Sequence, residues 1–115
     1  MESWITTKHG VGKKMVLFKK TFQNTPIIEV ALSRVSIGEG IEMHEHESKS
    51  ESYFFIDGKA EMNIGQECLF FKKDDFIIVP PKTLHSIKNI GDVDLCFLMH
   101  HIEEPTFKKD NGKLL

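Results

Sequence analysis

His44 and His46 lie two residues apart in the segment Gly38–Gly58, which reads GEGIEMHEHESKSESYFFIDG. In a strand, residues two apart leave the same face, so both imidazoles would point one way. Glu51 follows a short polar turn, Glu47-Ser48-Lys49-Ser50, and opens the next strand-like run. A hairpin there would set its carboxylate beside the two rings. Two imidazoles and a carboxylate are a donor set suited to iron, manganese, nickel, zinc or cobalt. His85, behind Pro80-Pro81 at the head of another strand, could close the shell from across a barrel. Two histidines at this spacing are also what an exposed polar turn looks like, so the surrounding pattern has to decide.

The elements that must position these residues read as strands. Segments rich in Val, Ile, Phe and Thr recur about every ten residues, with Gly, Pro, Asn and Asp between them. The expected strands are 15–20, 27–37, 41–46, 52–56, 60–64, 67–71, 76–79, 85–89 and 93–102. Asp57-Gly58 is a hairpin signal, because Gly tolerates the positive φ of tight primed turns. Short strands without a long helical pattern predict an all-β sandwich or barrel. One domain over 1–115 is expected, with a core over about 15–102 and polar arms at either end.

The spacing of the chemistry-bearing residues resembles the cupin superfamily. The first cupin motif is Gly, five residues, His-x-His, three or four residues, Glu, six residues, Gly. Here Gly38, His44, His46, Glu51 and Gly58 fit every interval. The second motif is Gly, five residues, Pro-x-Gly, two residues, His, three residues, Asn. Pro80, His85 and Asn89 match it, while Asp74 and Lys82 stand where the motif has glycines. The resemblance covers most of the chain and implies a jelly-roll β-barrel of the cupin type. It also implies that His44, His46, Glu51 and His85 bind one divalent metal, iron, manganese, nickel or zinc, with open positions for substrate or dioxygen. Lys82 at a turn position suggests a differently shaped loop before His85.

Strand parity then sorts the neighbours. With His44 and His46 inward, Glu42 points inward too, while Ile41 and Met43 point away. With Glu51 inward, Tyr53 and Phe55 follow it. Tyr53 could donate a proton near a metal, and Glu42 is the second candidate catalytic group. Phe55, Arg34 and His100 are the candidates for substrate contact. Arg34 shares a face with Ile28, Val30 and Leu32, where it could pair an anionic substrate or run out to solvent. His100 and His101 are adjacent and face opposite ways, so only one can enter the barrel. Asn89 is expected to cap the turn at 89–92. Phe54 and Ile56 make the other face of 52–56 apolar as well, so a cover is expected, either the N-terminal strand or a second subunit. Cupins commonly dimerise, which makes a homodimer the expected assembly.

Composition narrows the function classes. The chain has 115 residues, 15 Lys+Arg against 17 Asp+Glu, and a formal charge of -2. That balance removes the electrostatic reason to expect nucleic acid or a membrane surface as partner. No apolar run is long enough for a signal-peptide core or a bilayer span. Cys68 and Cys96 form no CxxC, and their apolar neighbours suggest buried free thiols in a cytoplasmic protein. The expected function is a metal-dependent cupin enzyme acting on a small polar molecule by Lewis-acid or dioxygen chemistry. Dioxygenase, sugar or keto-acid isomerase and lyase all fit. The alternative is a non-catalytic cupin that binds or senses a sugar or an acid.

Overall fold

A computed structural model describes residues 4–7 and 11–104. Residues with branched or aromatic side chains suit a pleated, half-buried surface, and no helix occurs among the described residues. The strands are β1 (Ile5–Thr6), β2 (Lys13–Lys19), β3 (Ile27–Val35), β4 (Gly40–His44) and β5 (Lys49–Asp57). They continue as β6 (Lys59–Ile64), β7 (Glu67–Lys72), β8 (Phe76–Val79), β9 (His85–Asn89) and β10 (Leu95–Glu103). All nine expected strands are present, and β1 is an additional short one paired with β2. The arms expected at the two ends lie largely outside the described residues.

The strands form two antiparallel sheets packed face to face as a jelly roll. The larger has the order β1-β2-β3-β10-β5-β8 and the smaller β4-β9-β6-β7. Val35, Tyr53, Phe55, Leu95 and Phe97 from the larger sheet meet Ala60, Met62 and Ile87 from the smaller. Phe55, Phe97, Met62 and Leu95 are fully buried, each contributing roughly 1.5–3 kcal/mol of hydrophobic stabilisation. Phe55 stacks on Phe71 with centroids 5.2 Å apart, which ties β5 to β7 across the sandwich.

Two turn expectations change. Asp57-Gly58 is not a hairpin: β5 and β6 belong to different sheets, and Gly58, at φ +90°, carries the chain across the corner. A Cβ there would lie 2.9 Å from the Leu95 Cα, so the corner also needs glycine for space. The segment between β4 and β5 likewise crosses between sheets, so Glu51 reaches the histidines from the opposite wall and not along a hairpin. The tight hairpin is at Gly65-Gln66, between the paired residues Ile64 and Glu67.

The outer face of β5 is not covered by the N-terminal strands. β1 and β2 extend the larger sheet beyond β3, on the far side of β10. Phe54 therefore stays 37% exposed, beside Phe76 at 54% and Ile78 at 51% on the edge strand β8. The cysteines also differ from expectation. Cys68 is exposed on β7 and Cys96 half-buried on β10, and both are free.

Candidate metal centre

Glu51 sits at the middle of a cluster of rings. His85 Nε2 lies 2.7 Å from Glu51 Oε1 and His44 Nε2 4.0 Å from the same oxygen. His46 Nε2 lies 3.2 Å from Oε2. The donor atoms of His44, His46, Glu51 and His85 all fall within 4.8 Å of one another. His44 and His85 are placed by β4 and β9, which pair with these two residues in register. His46 lies in the loop just past β4, and Glu51 comes from β5 in the other sheet. The site thus bridges the two walls at one end of the sandwich.

Backbone carbonyls fix two of the rings. His44 Nδ1–H donates to the carbonyl of Glu42 at 2.9 Å, and His85 Nδ1–H donates to that of Thr83 at 2.8 Å. Each bond leaves Nε2 as the nitrogen that faces the cluster, the arrangement that orients imidazole ligands in metal sites. Lys82 shapes the loop before His85. Its backbone is left-handed, at φ +57°, as is that of Asp74 at φ +75°, a conformation glycine adopts without strain.

The charges settle the fit to a cation. Burial would raise the Glu51 carboxyl, but the close contacts of His101, His46 and His85 outweigh it and hold the group well below the ordinary carboxylate range. Burial would likewise lower His85, yet Glu51 and the Thr83 carbonyl leave its imidazole above the usual value. With Nδ1–H committed to Thr83, His85 Nε2 and Glu51 Oε1 can sit 2.7 Å apart only with a positive charge between them, a proton or a metal. His46 Nε2 and His101 Nε2 are both buried, 3.2 and 2.6 Å from Glu51 Oε2, and neither makes a well-directed hydrogen bond among the described residues. A buried nitrogen of that kind is costly unless something binds it. The donor set and its unsatisfied nitrogen fit a divalent metal.

The other candidates divide sharply. Tyr53 is in the cluster: the residue is 3% exposed and its hydroxyl donates to Glu51 Oε1 at 2.9 Å. Burial, then the charge of Glu51, pushes its pKa well above 10. Glu42 is not in the cluster. A β-bulge between Ile41 and His44 shifts the alternation by one residue, so Ile41 packs against the core and the Glu42 side chain faces solvent. Phe55 lies beneath the site, fully buried among Tyr53, Phe71 and Phe97, and does not line the cavity. Arg34 is on the outer face, over the ring of Trp4 at 4.7 Å and 3.8 Å from Asp94. His100 is on the outer face too, hydrogen-bonded to Ser52 at 3.0 Å. Asn89 caps its turn, accepting from the Gly91 N–H at 2.9 Å.

His101 is the histidine that enters. It pairs across the ladder with Glu51, and its Nε2 lies 2.6 Å from Glu51 Oε2. Lys49 Nζ donates to its Nδ1 at 3.0 Å, which leaves the ring proton on Nε2. Both faces of β10 carry apolar residues, so alternation alone does not choose between His100 and His101; register to Glu51 does. The centre opens on a cavity of about 320 Å³ whose lining includes His44, His46, Glu51, Tyr53 and His101.

The model of the family described as Cupin domain matches residues 31–101. The chain belongs to the cupin family. An uncharacterised protein of Methanocaldococcus jannaschii is 39% identical to this cupin over 64 residues, which are 56% of this chain and 51% of that protein. The cupin thus aligns with about half the length of that curated relative. Among solved structures, a predicted oxalate decarboxylase of Thermotoga maritima is similar with a TM-score of 0.77 and 24% identity, over 90% of this chain and 92% of the other. The cupin domain of Cnp3 from Schizosaccharomyces pombe has a TM-score of 0.75 and 23% identity, over 90% and 73%. KdgF from a Halomonas species has a TM-score of 0.71 and 14% identity, over 89% and 87%. At these identities the structural likeness establishes the fold.

Proposed function

We propose that this cupin is a metal-dependent enzyme acting on a small polar metabolite, as a dioxygenase or as a sugar or keto-acid isomerase or lyase. The observation that carries the reading is the convergence of three imidazole nitrogens on one buried carboxylate, with His46 Nε2 left unsatisfied beside a cavity. His44, His46, Glu51 and His85 would hold the ion, which supplies a Lewis acid or, as iron or manganese, redox capacity. The chain's own residues define the rest. The Tyr53 hydroxyl keeps its proton and holds Glu51 in place, so it acts as a positioning residue. His101, whose Nδ1 accepts from Lys49, turns its Nε2 toward Glu51 and lines the cavity beside the ion's site. The apolar side chains of Ile41, Phe97 and Met99 limit water in the cavity.

The test is metal analysis of protein purified without added metal, followed by dioxygen uptake after anaerobic loading with ferrous iron. Stoichiometric iron with substrate-stimulated uptake supports the dioxygenase branch. Zinc, manganese or nickel without uptake supports the isomerase or lyase branch. Protein that turns over normally after metal removal overturns the proposal.

The same reading places the protein in the cytoplasm, as a homodimer, without nucleic acid or membrane as partner. No helix among the described residues is long and apolar enough to cross a membrane. Exposed free Cys68 suits a reducing compartment. The open apolar surface of Phe54, Phe76 and Ile78 suits burial against a second copy. Sedimentation of the wild type and of Phe76→Glu checks the assembly: a dimer that the substitution converts to monomer is expected.

A further inference from the structure

Four imidazoles gather around Glu51, and the motif spacing and the donor cluster account for three of them. His101 is the fourth, and its Nε2 makes the closest approach, 2.6 Å from Glu51 Oε2. The corresponding nitrogens of His85, His46 and His44 lie 2.7, 3.2 and 4.0 Å from a carboxylate oxygen. By distance alone, His101 has the same claim on an ion as the other three.

What separates His101 is the partner of its other nitrogen. His44 and His85 turn Nδ1 to a main-chain carbonyl. A carbonyl only accepts, so the ring proton stays on Nδ1 and Nε2 keeps its lone pair for the cluster. His101 turns Nδ1 to the Lys49 ammonium, 3.0 Å away. An ammonium only donates, so Nδ1 accepts and the ring proton sits on Nε2. A nitrogen that carries a proton has no lone pair for a metal.

The ladders fix this arrangement. His101 on β10 is paired with Glu51 on β5 and with Glu29 on β3. Lys49 stands two residues before Glu51 in β5, so it shares the inward face and reaches the same ring. The Glu29 carboxylate is engaged by Lys14 at 2.8 Å. The Nε2–H of His101 is left facing Glu51 Oε2, off the ideal axis. Tyr53 donates to the other oxygen, Oε1, at 2.9 Å. Each oxygen of Glu51 thus faces a proton donor from outside the ligand set, the kind of support that aims a ligating carboxylate.

We propose that Lys49 keeps His101 out of the ion's coordination, and that His101 acts instead as a positioning residue for Glu51. This rests on the metal reading and names what limits the protein ligands to four. Without the ammonium, the ring is free to carry its proton on Nδ1 and to offer Nε2 as a fifth protein ligand. One position fewer would then be open to small molecules.

Long-range proton–nitrogen NMR spectra of the full chain, isotope-labelled at histidine and loaded with zinc, test the assignment. Zinc affinity is read alongside by competition against a chromogenic chelator. The His101 signals are those missing from His101→Gln. In the wild type, His101 is expected to show a protonated Nε2 and a bare Nδ1, while His44 and His85 show Nε2 bound to zinc. In Lys49→Met, His101 is expected to change to a zinc-bound Nε2. His101→Ala should lose about tenfold or more in zinc affinity, as for other residues that orient a ligand. His101→Gln restores an N–H at a similar reach and should recover most of that loss. A zinc-bound His101 in the wild type overturns the proposal and leaves the metal reading intact. So does a Lys49→Met protein whose His101 keeps its proton on Nε2, or a His101→Ala protein of full affinity. Wild-type protein that binds no zinc overturns both readings together.

Discussion

The backbone N–H of Lys82 donates to the carbonyl of His46 at 2.7 Å, joining the loop before His85 to the loop that carries His46. Two ligand loops from different parts of the sequence are thus fixed to each other by a main-chain bond. Lys82 makes this bond from a left-handed conformation, which an L side chain adopts only at a cost of roughly 1–2 kcal/mol.

Lys82→Gly removes that strain, while the freer unfolded chain takes back roughly 0.5–1 kcal/mol. A net gain of about 0.5 kcal/mol is expected by urea denaturation. Lys82→Pro cannot adopt φ +57° and lacks the N–H. It should lose about 3 kcal/mol together with much of the metal affinity. A neutral proline variant would show that the loop tie is incidental.

His46→Ala and Glu51→Gln should each reduce metal affinity by at least 100-fold, read by competition against a chromogenic chelator. Stripping the ion from the wild type should lower its stability by about 2.7 kcal/mol if the free metal had stood at 100 times its dissociation constant. For a chain of this size that corresponds to a fall in Tm on the order of 10 °C. The His46→Ala protein should show no such difference between chelator and metal. An equal difference in the variant would place the ion elsewhere.

Tyr53→Phe deletes the hydroxyl that holds Glu51 Oε1. A cost of about 1 kcal/mol is expected, with metal affinity reduced about tenfold, as for other residues that orient a ligand. Retention of full affinity would make Tyr53 a packing residue alone.

Acid and base should act oppositely on the two forms of the protein. His85 is raised above its ordinary 6.5 in the metal-free fold. Its ion pair with Glu51 is therefore fully present below that value and is lost as pH climbs through the raised folded one. Glu51, held below the ordinary 4.5, contributes at neutral pH and fades only in strong acid. The Tm of the metal-free protein should drift down from pH 6 to pH 8.5. Metal binding requires the same nitrogens without protons, so the rise in Tm conferred by zinc should grow across that interval. Parallel slopes with and without zinc would contradict the assignment of His85 as a ligand.

The four residues of the candidate metal cluster were legible because a fixed spacing survives folding. His44, His46, Glu51 and His85 need only their intervals to be recognised, and the strands around them announce themselves by composition. What was hidden depends on register. Glu42 and Ile41 exchanged places because one bulge in β4 breaks strict alternation. His101 could be told from His100 only by knowing which β5 residue faces it, since β10 is apolar on both sides. Arg34 offered a row of apolar neighbours, but that row is the outer face of β3, and its charge goes to Asp94 and the Trp4 ring. Asp57-Gly58 carried correct turn chemistry and the wrong topology, because a positive φ bends a chain without saying which strand follows.

β10 lies between β3 and β5 in the larger sheet, and it alone bonds to both. During synthesis, β3 and β5 are made before residues 95–103. Until then each has a bare edge where β10 will sit, and Glu51 lacks the ring of His101. The nascent chain consequently carries two unpaired strand edges of the kind that invite association with other chains. A ribosome stalled before β10 would release a half-sandwich in need of a chaperone, with no partial barrel for it to fall back on.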